Sequence, residues 1–192
     1  MKKLSFVLFA LGLVVLSSAF MKSTTLKVDV AKSKANWIGK KVTGQHSGTI
    51  GIKSGSIIFD NDRPVAGSFV IDMNSIASTD LEGEYAGKLI GHLKSDDFFG
   101  VAKYPTANFV LKNAAATVNP VNYIVTGELT IKGTTETVSF DARIDQTSAT
   151  AKILVDRTKF GIKYGSGSFF ENLGDKAIDN MFELNVQLAL TK

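Results

Sequence analysis

The chain has 192 residues, no cysteine, and a formal charge of +4 that falls to +2 once Lys2 and Lys3 are set aside. That balance gives no warrant for nucleic-acid binding, and the missing cysteines exclude a lipoprotein attachment site, disulfides, thiol catalysis and thiolate metal sites together. Stability has to come from a core, and roughly 170 residues suffice to build one as a single domain.

Met1, Lys2 and Lys3 precede an apolar run from Leu4 to Leu16, and the small residues Ser17, Ser18 and Ala19 follow it. This reads as a secretory signal over residues 1–19, cut after Ala19. A membrane anchor would need about 20 apolar residues, and the serines come too soon. The expectation is a periplasmic or secreted protein whose single domain spans 20–192. Lys22, Lys27, Lys32, Lys34, Lys40 and Lys41 cluster near the mature N-terminus. Solvated strand edges that discourage edge pairing account for them.

Period-2 alternation then dominates. Leu26, Val28 and Val30 form a first strand, and Ala35 to Val42 a second around Trp37. Gly48 to Lys53 and Gly55 to Phe59 follow, separated by small residues that suit a tight turn or bend. Asn61-Asp62-Arg63-Pro64 has turn chemistry, with Pro presetting φ. Gly67 to Asn74 places Phe69, Ile71 and Met73 on one face.

Helical spacing occurs over Thr79 to Lys94, where Leu81, Tyr85, Leu89 and Leu93 recur every four residues. Gly83, Gly87 and Gly91 weaken that helix by about 1 kcal/mol each relative to Ala. Ser95, with Asp96 and Asp97 after it, has the pattern of an N-cap with acidic first-turn residues. Phe98 and Phe99 must lie down on something apolar, and Pro105 stops any helix.

Thr106 to Lys112 returns to alternation, with Ala107, Phe109 and Leu111 on one side. Asn122 to Ile131 and Glu136 to Ile144 are joined by Lys132-Gly133-Thr134-Thr135, a hairpin length. Gly161 to Gly174 is a Gly-rich aromatic loop around Phe169 and Phe170, between strands Thr150 to Asp156 and Asn180 to Thr191. Eight or more strands with one apolar face each argue a sandwich or a barrel, and alternation does not separate the two. It does predict that Phe69, Ile71, Phe109, Leu111, Leu129, Phe140, Ile153, Phe182 and Leu184 share one interior.

Catalytic patterns are weak. His46 and His92 are the two histidines, and no local spacing brings them together with Asp96 or Asp97 as metal ligands. His92 reads as a hydrogen-bonded structural residue. The serines lack a nucleophile-elbow setting, and the Gly-Ser-Gly stretch from Gly165 to Gly167 lacks the Lys of a P-loop. The 13 Phe residues fall largely on strand positions, where they either fill a core or line a cavity.

Several separated motifs occur in a recognisable order. Trp37, Gly39, His46 and Gly48 give Trp-x-Gly and His-x-Gly; Gly67-Ser68-Phe69, Asp72-Met73 and Ser75-Ile76 follow. Gly91 to Phe109 reads GHLKSDDFFGVAKYPTANF, Gly127 to Gly133 reads GELTIKG, and Asp156 to Gly161 reads DRTKFG. This set resembles the YceI-like family over nearly the whole mature chain. Many members carry Arg-Asp just before the His-Leu pair, where this chain has Leu89-Ile90-Gly91.

The resemblance implies an all-β fold: an extended antiparallel lipocalin-like barrel of about eight strands with a short helical insert near one mouth. It implies non-enzymatic binding, sequestration or transport of a long-chain apolar ligand such as a polyisoprenoid, an isoprenoid quinone or a similar lipid. Alternation and resemblance together assign Trp37, Phe69, Ile71, Phe109, Leu129 and Phe182 to the ligand cavity, with Leu81 to Phe99 over part of its opening. No catalytic residue, metal or cofactor other than a bound lipid or quinone is expected. Transient membrane contact and a homodimer stay open as partners. The rival class is an exported interaction module with a filled core.

Overall fold

Strand alternation carries through the computed structural model, which describes residues 23–192. The signal and its cleavage site lie outside the described residues. Among these, eight antiparallel strands pair in chain order: β1 (Ser23–Lys41), β2 (Gly44–Asp60), β3 (Arg63–Ser78), β4 (Thr106–Ala116), β5 (Asn122–Ile131), β6 (Thr134–Ile144), β7 (Ser148–Asp156) and β8 (Ile178–Thr191). Pairing of β8 with β1 closes a barrel, and the helix α1 (Gly83–Lys94) sits between β3 and β4.

Four of the expected short strands merge into two long ones. In β1, Leu26 and Val28 face inward on even positions, whereas Ala35 and Trp37 do so on odd positions. The switch falls where the register shifts between Asp29 and Lys34. Asp29 Oδ1 accepts the N–H groups of Ala31 and Lys32 there, and the Ser33 hydroxyl donates to Asp29 O and accepts from Ala189 N–H. A bulge that rebonds its own backbone costs the sheet little and bends the strand. In β2 the same reversal runs from Ile50 and Ile52 to Ile57 and Phe59, across a register shift between Ile52 and Ser54. The small residues Ser54 and Gly55 therefore make a bend within a strand.

Other expectations need correcting. β1 is flanked by β2 and β8, so its solvent-exposed lysines do not guard an edge. The β2–β3 turn is Asn61-Asp62, with φ of 46° and 69°, the left-handed pair of a type I′ hairpin. Pro64 already belongs to β3, opposite Phe59, and presets nothing in the turn. Lys132 and Gly133, with φ of 51° and 78°, make the expected β5–β6 hairpin.

α1 begins at Gly83, after Leu81, and its docked face is not the expected stripe. Tyr85 is 74% exposed, while Ile90 and Leu93 pack on the barrel. Only the second half of the helix meets apolar surface, so a four-residue repeat running its whole length finds a partner at one end alone. Ser95 closes α1 and opens no new helix: its hydroxyl donates to His92 O at 2.8 Å. The expected landing of the paired aromatics holds, with Phe98 buried and Phe99 packed against the same cluster.

Candidate functional site

Two apolar clusters divide the barrel interior along its length. One gathers Leu26, Val28, Ile57, Phe59, Tyr123, Ile144 and Leu188 at the end away from α1. The other gathers Met73, Ile76, Phe98, Val101, Ile131, Phe160 and Ile162 at the α1 end. Between and among them runs a cavity of about 240 Å³. Single buried waters need only about 10–15 Å³, so this space is no packing flaw.

All six expected cavity residues line it: Trp37 from β1, Phe69 and Ile71 from β3, Phe109 from β4, Leu129 from β5 and Phe182 from β8. The wider expected interior set also lines it, including Leu111, Phe140, Ile153 and Leu184. The expected interior set left out Ile50, Ile52, Met73 and Val125, although Met73 shares the face of Phe69 and Ile71 and Val125 the parity of Leu129, and all four line the cavity. Leu93, Phe98 and Phe99 line the α1 end, so the helical segment covers that part of the cavity as expected.

Glycine makes room for the two largest rings. A Cβ on Gly48 would collide with the Ala77 carbonyl and lie 2.5 Å from Trp37 Cε2. One on Gly127 would collide with Phe109 Cζ and lie 2.5 Å from Val110 O. Phe109 in turn stands 5.5 Å from Phe140 and 6.1 Å from Phe69, ring centre to ring centre, forming an aromatic wall across three strands. Such offset pairs add specificity of shape to apolar burial.

Charged lining residues, Lys40, Arg157 and Asp179, gather at the α1 end. Arg157 is buried, and its guanidinium donates to Asp179 O, Ile162 O and Ile178 O at 2.9, 2.9 and 3.0 Å. Burial lowers its pKa; the nearby Asp156 and Asp179 carboxylates oppose that shift. Its carbon atom Cζ also sits 5.6 Å above the Phe98 ring. The DRTKFG motif thus pins the loop after β7 to the start of β8 and to the aromatic turn.

His92 is wedged between the rings of Phe98 and Tyr164, at 5.0 and 4.5 Å. Its Nε2 is buried without a hydrogen-bond partner among the described residues, so ring packing and not hydrogen bonding holds it. His46 lies elsewhere: its Nδ1 is 2.8 Å from Asp80 Oδ2, while Asp80 Oδ1 accepts from Ser47 N–H and the Ser78 hydroxyl. Burial alone would raise the Asp80 pKa, but the bonds from His46, Ser47 and Ser78 outweigh it and hold the value below the ordinary one. This cluster ties the start of β2 to the approach to α1. Among the described residues, no three His, Asp or Glu side chains converge as a metal site.

With this barrel in view, the model of the YceI-like domain matches residues 26–190. The chain belongs to the YceI-like family. A UPF0312 protein of Photorhabdus laumondii is 30% identical over 139 residues, covering 69% of this chain and 68% of its own. Protein YceI of Escherichia coli O157:H7 is 31% identical over 97 residues, covering 50% of this chain and 48% of its own. Among solved structures, BcnA of Burkholderia cenocepacia superposes with a TM-score of 0.69 at 24% identity, covering 85% of this chain and 99% of the other. A polyisoprenoid binding domain from Saccharophagus degradans gives 0.62 at 17% identity, covering 86% and 97%. At these identities the superpositions establish the shared fold.

Proposed function

We propose that this barrel binds a long-chain apolar ligand without catalysis, and that the occupant is a polyisoprenoid, an isoprenoid quinone or a lipid of similar length. One observation carries the reading: a cavity with an almost wholly hydrocarbon wall, lined by Trp37, Phe69, Ile71, Phe109, Leu129 and Phe182 among others. Removing apolar surface from water is worth about 25 cal/mol per Å², so a long chain binds tightly without any precise polar contact. One methylene changes that by only about 0.8 kcal/mol, so closely related chain lengths are discriminated weakly. The family neighbour from Saccharophagus degradans, a polyisoprenoid binding domain, supports the choice of ligand class. With residues 1–19 as a signal, the protein acts in the periplasm or outside the cell, sequestering or carrying its ligand between membranes.

The test is native mass spectrometry of protein purified from its own host, joined to uptake of a fluorescent long-chain lipid by delipidated protein. A co-purifying lipid or quinone, together with saturable uptake, is the expected result. Failure of wild-type protein to take up any apolar probe would overturn the reading and favour an interaction module.

A further inference from the structure

The barrel wall is least zipped between β6 and β7. β6 and β7 pair at Ala142–Ala151, Arg143–Thr150 and Ile144–Ala149, and there the register ends. By contrast, β5 pairs with β6 from Asn122 to Ile131, and β7 with β8 from Ser148 to Asp156. Two bonds establish which backbone groups face the seam. Ile144 N–H donates to Val121 O, and Leu190 N–H donates to Thr147 O, each at 2.8 Å. Because direction alternates along a strand, Thr135, Thr137, Ser139 and Asp141 turn their N–H and C=O groups toward β7. Lys152 and Leu154 turn theirs toward β6. Of these, Thr135, Thr137, Ser139 and Leu154 have no ladder partner across the seam, whereas Asp141 and Lys152 flank the last pair and belong to the zipped end. The interruption between β1 and β2 differs, because pairing resumes on both sides of it.

The opening this leaves is bounded on all sides. The three ladder pairs close it below, and the 3₁₀ turn Arg157–Phe160 packs against β6 above. Val138 and Phe140 on one side, and Ile153 on the other, line the cavity directly behind it. The lining also reaches solvent-exposed residues, Thr150 of β7 and, at the α1 end, Lys40, Asp179 and Met181.

Passage through either end of the barrel meets packed side chains. Ile57 and Phe59 are each 1% exposed at one end, Phe160 and Ile162 2% and 0% at the other. Displacing one such side chain uncovers buried apolar surface, and the α1 end adds the three carbonyl bonds of Arg157. Widening the seam beyond Ala142–Ala151 breaks no ladder bond.

We infer that the ligand enters and leaves sideways, through the window between β6 and β7, and that a long flexible chain slides in lengthwise instead of threading from an end. This rests on the proposed binding function and specifies its route.

The lack of native cysteines makes the test clean. Ser139→Cys with Leu154→Cys puts thiols on the outer face of the window, clear of the cavity lining, for bridging by a short bis-maleimide. A control pair, Asn74→Cys with Lys94→Cys, uses the existing contact of Lys94 Nζ with Asn74 O to pin α1 to β3. Stopped-flow uptake and release of a fluorescent long-chain lipid is measured before and after bridging, with mass spectrometry verifying the bridge and circular dichroism the fold. Bridging the window should slow association and dissociation together by roughly tenfold or more while the Kd stays within about twofold, since a gate changes rates and not the site. Pinning α1 should change neither rate. Unchanged rates in the window-bridged protein, or slowing by the α1 bridge alone, would overturn the window while leaving the binding function intact. Uptake by none of the proteins, wild type included, would remove both.

Discussion

Gly127 lies directly beneath the ring of Phe109, so closely that a methyl group there would overlap the ring edge and press on the Val110 carbonyl. The carbonyl is backbone in a paired strand and cannot give way, so the ring would have to move. Gly127→Ala is therefore expected to tilt Phe109 into the cavity and to destabilise the protein by about 1–3 kcal/mol, as overpacked sites do. Urea denaturation reads the stability and lipid titration the lost capacity. A variant as stable as wild type, with unchanged uptake, would contradict the described packing.

Phe69 and Leu129 both line the cavity, but Phe69 is only partly buried, beside the cluster away from α1, whereas Leu129 is a buried member of the α1-end cluster. A carboxylate at either position is buried without a partner, which is costly. Phe69→Asp can reach the cavity space, so it should keep the fold while abolishing uptake of a long-chain probe. Leu129→Asp should lose uptake together with several kcal/mol of stability. Measuring both quantities on both variants separates a binding wall from a solid core; equal unfolding of the two would argue for a core filled throughout.

Arg157 should not tolerate Lys. The planar guanidinium reaches three carbonyls on two chain segments at once, and an ammonium cannot reproduce that fork. Leaving buried carbonyls unpaired costs about 1–3 kcal/mol apiece. Arg157→Lys is expected to lose at least one such increment in chemical denaturation, with faster hydrogen exchange at Ile162 and Ile178.

Asp145 governs the zipped end of the window. Its Oδ1 accepts from the Thr147 hydroxyl at 2.6 Å, from Thr147 N–H at 2.8 Å and from Ser148 N–H at 2.9 Å. These bonds, the Thr147 hydroxyl foremost, hold its pKa below the ordinary 3.8 despite opposing desolvation. A carboxyl depressed by folding contributes stability that is fully present above its unfolded pKa and is lost as pH falls through the folded value. Stability of the β6–β7 turn should therefore drop only below about pH 4. Asp145→Asn should flatten that acid limb, and Asp145→Ala should speed amide exchange at Arg143 and Thr150. An acid limb unchanged in Asp145→Asn would assign the effect to another carboxylate.

Much of this protein was legible in its sequence because strands announce their buried face by parity. Phe69, Ile71, Phe109, Leu129 and Phe182 fall on single-parity runs, and all of them line the cavity. The hairpin at Lys132-Gly133 was equally readable, since two adjacent left-handed residues are a local requirement. Parity fails wherever a bulge inserts a residue. The strands β1 and β2 therefore looked like four, and Ile50 and Ile52 were not assigned to the lining.

What only the tertiary structure decided depends on which distant surfaces meet. The repeat of Leu81, Tyr85, Leu89 and Leu93 is helical in the sequence, yet the barrel end reaches just Ile90 and Leu93, leaving Tyr85 in solvent. Ser95 had the local chemistry of an N-cap, yet the fold of residues 95–101 back onto α1 made it the helix's end. Motifs that are far apart in the chain proved to be contacts: Trp37 over Gly48, Tyr104 against Gly133, and Arg157 above Phe98. Closure itself, and the seam where β6 and β7 part, depend on the pairing of strands, which periodicity within a strand does not encode. The sequence by itself determined which side of each strand is apolar, because that is a property of neighbouring residues. Whether those sides enclose a cavity, and where its wall opens, was decided by long-range pairing and packing.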